Sequence, residues 1–210
     1  MAAFPRNAGA MPRLATPMRF PSGLQAWGDS GRGQGRAVQN MGRTWDEVYS
    51  VLDCNRQSVR AFIEAVNRSM RSGLILWDVQ HPYWHSRFGL GGGTPLVNGA
   101  GQTGSNLIVD GASNSITNWL RGGDIIKVVG APVVIDVTAD VNTNGSGQAT
   151  IPIHPPIFVG AAPADNAAVE INPASIFFLA AITAVQDFPL MDSSRYIDAG
   201  LTLTWREQPQ

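Results

Sequence analysis

Short apolar runs separated by turns rich in glycine, proline and asparagine set the character of this chain. Leu14, Met18 and Phe20, then Leu24 to Trp27, then Ala37 to Met41 punctuate the first forty-odd residues; Thr44 to Leu52 follows, with Trp45, Val48 and Tyr49 as its bulky groups. Runs this short, bounded by turn residues, read as strands, and their succession predicts an antiparallel meander. One segment changes period. Val59, Phe62, Ile63, Val66 and Met70 stand at i, i+3, i+4, i+7 and i+11, which makes one apolar stripe of an amphipathic helix. Asp53 or Asn55 is placed to cap its start and Gly73 to end it. The opposite face carries Arg56, Arg60, Glu64, Arg68 and Arg71, where the spacing of Arg60, Glu64 and Arg68 permits pairing on a solvated face. The same face is a candidate contact between copies of the chain.

After the helix, Leu74 to Trp77 runs into Asp78-Val79, too apolar for a strand with one exposed side, so a central strand is predicted. Residues 89–106 then lose any period and become rich in glycine, which predicts a hinge and a domain boundary. Beyond it, Leu107 to Val109, Ser115 to Leu120, Asp124 to Val129, Val133 to Val141 and Gln148 to Ile153 are five short strand-like runs, the pattern of a small barrel of OB-like type. Pro152, Pro155 and Pro156 are expected to close this module, because proline does not pair within a central strand. Ser175 to Val185 and Gly200 to Trp205 then return to the first sheet. The expectation is a mainly β chain with one helix: a β-sandwich-like module from residues 1–90 and 160–210, holding an inserted small OB-like barrel at 91–159.

Composition narrows the function. Charged residues make up 15% of the 210, well under the roughly 25% usual for soluble proteins, so much of the surface is expected to be covered by neighbours. Residues 1–90 hold 11 basic and 6 acidic side chains, residues 91–210 hold 4 and 10, giving +5 and −6; such asymmetry suits complementary contacts between copies. The basic residues are scattered singly, and no nucleic-acid recognition motif accompanies them, so specific nucleic-acid binding is not expected. The single Cys54 forms no internal disulfide, which fits assembly in a reducing cytoplasm. No apolar run approaches the roughly 18 residues of a membrane span, and the first residues lack a secretion signal.

Candidate chemistry is sparse. His81 and His85 stand four apart but flank Pro82, and His154 lies between prolines as a turn residue, so no metal site is expected. Asp124, Asp136 and Asp140 offer the paired carboxylates of glycosidic cleavage, although Gly122-Gly123-Asp124 reads as a tight turn. Residues 99–104, GAGQTG, match the dinucleotide fingerprint by letter, but they follow no clear strand, open no helix, and bring no lysine. No nucleophile elbow occurs. Neither cofactor nor catalytic residue is therefore expected.

The order of motifs as a whole resembles the distal tail proteins of long-tailed bacteriophages. Pro12-Arg13, Gly31-Arg32 through Arg36, Gly42-Arg43-Thr44-Trp45 before Tyr49, and the helix followed by Ser72-Gly73-Leu74 and by residues 77–82, WDVQHP, are similar to the N-terminal part of that family. Residues 97–104, Leu107 to Gly111, and residues 120–128, LRGGDIIKV, are similar to its inserted barrel. The resemblance implies a non-enzymatic virion protein made in the host cytoplasm. It implies an oligomeric, hexameric ring between the tail tube and the tip hub or fibres, so that the partners are further copies, the tube protein, and hub or fibre proteins. Arg32 and Arg36 in the glycine-rich loop, with Arg60 and Arg68 on the helix, are the interface candidates. A rival reading is a carbohydrate-binding module contacting the host surface, with Trp84 or Trp119 stacking on sugar; a third is a glycan-degrading enzyme using Asp124 and Asp136.

Overall fold

A computed structural model describes residues 3–5, 12, 14–15, 25–26, 37–38, 43–53, 57–72, 75–82, 86–131, 133–186 and 196–208. The fold is mainly β with one long helix. In chain order its strands are β1 (Leu14–Ala15), β2 (Gln25–Ala26), β3 (Ala37–Val38), β4 (Thr44–Asp53), β5 (Trp77–Val79), β6 (Gly93–Val97), β7 (Gly104–Ala112), β8 (Ile125–Val128), β9 (Ile135–Val137), β10 (Ala149–Ile157), β11 (Val169–Glu170), β12 (Phe178–Gln186) and β13 (Tyr196–Glu207). The helix α1 (Gln57–Arg71) lies between β4 and β5. The chain divides into two compact units, one from Met1–Val79 with Leu179–Pro209 and the other from Gln80–Phe178.

The first unit is a sheet ordered β1-β4-β13-β12-β5, while β2 and β3 pair separately. The predicted meander is thus corrected: β4 takes β1 and β13 as neighbours, not β3, since long-range pairing with the C-terminal strand gives a far longer ladder (Trp45 opposite Trp205, Tyr49 opposite Leu201). Alternation fixes the buried face. Arg43 just before β4, Trp45, Glu47 and Tyr49 on it, and Leu201, Leu203, Trp205 and Glu207 on β13, point inward with period two. α1 lies on this face through Phe62, whose ring centroid is 4.7 Å from Tyr49 and 5.5 Å from Phe4; Phe4 also meets Trp205 at 4.7 Å.

The helix stripe differs at two positions from the sequence pattern. Val59, Phe62, Ala65, Val66 and Ser69 are buried, Ile63 is half-buried, and Met70 is 54% exposed. At the C-terminal turn, Ser69 replaces it inside by donating to Ala65 O at 2.9 Å and accepting from Trp77 Nε1 at 2.9 Å. β5 ends the sheet order instead of lying centrally, and its apolar side chains are tolerable there because Ala3 bridges Asp78 in parallel on the far side.

The second unit is a six-stranded antiparallel sheet ordered β11-β8-β9-β10-β7-β6. Its edge strands meet through a bridge between Leu96 and Ala168, with Val97 N donating to Ala167 O at 2.9 Å, so the sheet comes nearly full circle into a barrel. Inside lie Val97, Leu107, Val109, Ile126, Val128, Ile135, Val137, Ile151 and Ile153, with Trp119 and Leu120 reaching into the same core.

Several expectations for this unit are revised. The supposed hinge at 89–106 holds β6 and the β6–β7 turn; its glycines are there for left-handed backbone, as at Gly93 with φ 83°, where an added Cβ would fall 2.5 Å from Gly111 O. Ser115 to Leu120 is no strand but a series of turns held by side chains: Thr143 Oγ1 accepts from Ile116 N at 2.8 Å, Asn142 Oδ1 from Asn118 N at 2.7 Å. The prolines do not end the module. β10 runs through Pro152, Pro155 and Pro156 between β7 and β9; its pairing to β7 is interrupted between Pro152 and Ile157, so the missing N–H groups at 155 and 156 fall where that ladder is broken. The barrel therefore extends to Phe178 and includes β11, with 160–178 on its side of the boundary. Divided there, the first unit has 12 basic and 10 acidic residues and the second 3 and 6, giving +2 and −3.

Candidate interaction surface

The exposed side of α1 is the best-defined polar surface of the first unit. Arg60, Ala61, Glu64, Arg68, Met70 and Arg71 all lie outward, as 3.6-residue periodicity requires once Phe62 and Val66 face the sheet. Glu64 and Arg68 pair at 3.1 Å across one turn, with side chains 63% and 53% exposed; a bond so open to water contributes little to stability, roughly 0.3–0.5 kcal/mol. Arg68 and Arg71 in the last turn also sit at the negative end of the helix dipole. Met70 adds an apolar side chain amid these cations, a combination favoured where surfaces meet. Arg32 and Arg36 lie outside the described residues, as do Cys54, Trp84 and His85.

Of the carboxylates put forward for glycan cleavage, Asp124 is committed to backbone donors. Asp124 is only 2% exposed. Its Oδ1 accepts from Phe88 N at 2.6 Å, and its Oδ2 from Gly89 N at 3.0 Å and Arg121 N at 2.8 Å. Three backbone donors thus hold a carboxylate whose work is to pin the segment entering the barrel onto the β7–β8 connection. Asp136 sits on β9 opposite Ile125 and His154, and His154 is an exposed strand residue, not a turn residue. Asp140 accepts from Gly122 N at 3.1 Å.

Trp119, put forward for sugar stacking, is wholly buried, with Nε1 donating to Gly92 O at 3.0 Å. An indole in the barrel core has no face to offer a ligand. The fingerprint-like GAGQTG is the β6–β7 hairpin turn, filled by Gln102: its Oε1 accepts from Ile108 N at 2.6 Å and its Nε2 donates to Asn98 O at 2.8 Å. No group of three His, Cys, Asp or Glu among the described residues is placed to hold a metal ion.

One open cleft of about 640 Å³ lies on the barrel between Ser86-Arg87, Gly92-Gly93 and Glu170 to Pro173. Arg87 spans it structurally, donating to the carbonyls of Gly89, Leu90 and Ile171 at 3.0 Å each. The guanidinium occupies the space a Cβ on Gly91 would need, 2.1 Å from Arg87 Cζ. Sequence reasoning missed this role because nothing in the spacing of Arg87 marks three carbonyls converging on it. No helix among the described residues is long and apolar enough to cross a membrane. No protein-family model matches the chain, and neither does any curated protein.

Proposed function

We propose that this chain is a structural, non-enzymatic subunit of a bacteriophage tail, a distal tail protein whose copies form a ring, hexameric in the related family, at the end of the tail tube. The observation that carries this reading is the outward face of α1, where Arg60, Arg68 and Arg71 surround an exposed Met70. A face that mixes cations with an exposed methionine is suited to contact between subunits. The architecture supports it: a module assembled from both ends of the chain leaves a contiguous barrel free to carry separate contacts. In this reading the first module packs against its copies and the tube protein, and the barrel addresses the tip hub or fibres. The protein is made in the host cytoplasm and works in the virion.

Negative-stain microscopy of the purified protein, with light scattering across concentration, tests the proposal. Rings of identical copies are the expected result, closed by a head-to-tail contact as rotational symmetry demands. A strictly monomeric mass at high concentration, together with single copies in virions, overturns it.

A further inference from the structure

Asn-Gly occurs twice in the chain, at Asn98-Gly99 and at Asn144-Gly145, both times in a turn of the barrel. The dipeptide suits tight turns, and it also carries chemistry. A glycine has no Cβ to shield its own nitrogen, so that nitrogen can attack Cγ of the preceding asparagine. The new N–C bond closes a succinimide ring, and the side-chain nitrogen leaves as ammonia, taking the proton that the glycine N–H gives up. Water then opens the ring at either carbonyl. The products are aspartate and its isomer, in which the backbone runs through Cγ.

The two pairs are held in different ways. At Asn144 the side chain is fixed: Oδ1 accepts from Ser146 N and Gln148 N at 2.9 Å each, and Nδ2 donates to Gln148 Oε1 at 3.2 Å. At Asn98 no hydrogen bond from the described residues reaches the side-chain amide, and it is the peptide group that is held. Gly99 N donates to Asp165 Oδ1 at 2.8 Å, and Asn98 O accepts from Gln102 Nε2 at 2.8 Å. Gly99 is exposed, with φ 95°, and a Cβ added there would meet nothing within 4 Å. Packing therefore does not crowd its nitrogen.

We propose that Asn98 is a self-modification site of the barrel, deamidating through attack by Gly99 N, and that Asp165 is the residue that restrains it. Ring closure requires the Gly99 nitrogen to release its proton and turn toward Cγ of Asn98. Both steps break the N–H bond to Asp165, and a carboxylate acceptor makes that bond a strong one. Its loss is expected to raise the rate about tenfold, the factor that one hydrogen bond to a charged group commands. Asn144 is the slower of the pair, because three bonds must be broken to free its amide. The isomeric product lengthens the backbone next to Val97, whose N donates to Ala167 O at 2.9 Å and whose O accepts from Asn166 N at 2.9 Å. Those bonds belong to the seam where the barrel closes, so conversion loosens the seam.

The test is peptide mapping by mass spectrometry of the full-length protein aged in mildly alkaline buffer, read as the conversion at Asn98 relative to that at Asn144. Wild type is expected to convert at Asn98 first, into a mixture of aspartate and isoaspartate, with faster amide exchange at Val97 and Asn166 in the converted chains. Asp165→Ala is expected to raise the Asn98 rate about tenfold without moving that of Asn144, and Asp165→Asn, which keeps a neutral acceptor, to raise it less. Gly99→Ala suppresses conversion at Asn98. Conversion of Asn144 ahead of Asn98 in wild type overturns the site. An unchanged or lowered Asn98 rate in Asp165→Ala overturns the restraining role, as does an equal rise at both asparagines, which reports general unfolding.

Discussion

Arg43 and Glu207, 164 residues apart, form an ion pair with Nη1 and Oε2 3.3 Å apart and side chains 2% and 1% exposed. Glu207 N also donates to Arg43 O at 2.8 Å, so the pair closes the β4–β13 ladder at the point where the two ends of the chain join. Removing one partner strands a buried charge. Glu207→Ala is expected to destabilise the protein by roughly 3–5 kcal/mol, and Arg43→Met with Glu207→Leu to recover most of that loss. Urea denaturation of the three variants measures it; equal losses in the single and double variants would mean that the pair is not what holds this corner.

Phe62 links α1 to the sheet through Phe4 and Tyr49. Phe62→Ala is expected to cost roughly 3–5 kcal/mol. Arg60→Ala and Arg68→Ala change stability by no more than about 0.5 kcal/mol, yet weaken assembly into rings, by an amount that shrinks as added salt screens the lost contacts. Thermal melts and ring counts in micrographs separate the two effects.

Asp124 bonds three backbone N–H groups in a buried setting. Asp124→Ala leaves those donors without an acceptor and is expected to destabilise the barrel by about 2–4 kcal/mol, since each buried unpaired group costs roughly 1–3 kcal/mol. Amide exchange at Phe88, Gly89 and Arg121 reports it locally: all three should exchange faster in the variant.

Two glycines with nearly equal φ should behave differently. Gly147 (φ 71°) would place a Cβ 2.2 Å from Ala112 O, whereas Gly101 (φ 74°) would place it in open space. Gly101→Ala should cost only the left-handed backbone penalty of roughly 1 kcal/mol. Gly147→Ala should cost more than twice that, because the clash with Ala112 O adds to it. Equilibrium unfolding of both variants gives the comparison.

What could be read from the sequence follows from where the physical signal was local. Helical period around Phe62 and strand alternation through Trp45 and Tyr49 are set by the nearest neighbours of each residue, so helix and strand were both legible. Met70 misled because the stripe pattern does not know that Ser69 finds Ala65 O and Trp77 Nε1. Pro152, Pro155 and Pro156 misled because the rule against proline in central strands presumes an unbroken ladder on both sides, and β10 has a break beside β7. Asp124 and Trp119 looked chemical in a list of residue types; only burial shows that one is a backbone clamp and the other a core side chain.

The division of the chain has a consequence for how it is made. During synthesis β4 and α1 emerge early, but β13, the partner along most of β4, is added only after the whole of Gln80–Phe178. The barrel is contiguous and can form on the ribosome while the first sheet waits half-built, with the apolar face of β4 and α1 uncovered. Premature association of nascent chains is thus a hazard during that interval. Codon changes that slow translation between β12 and β13 would lengthen the exposure, and the expected yield of soluble protein falls with them.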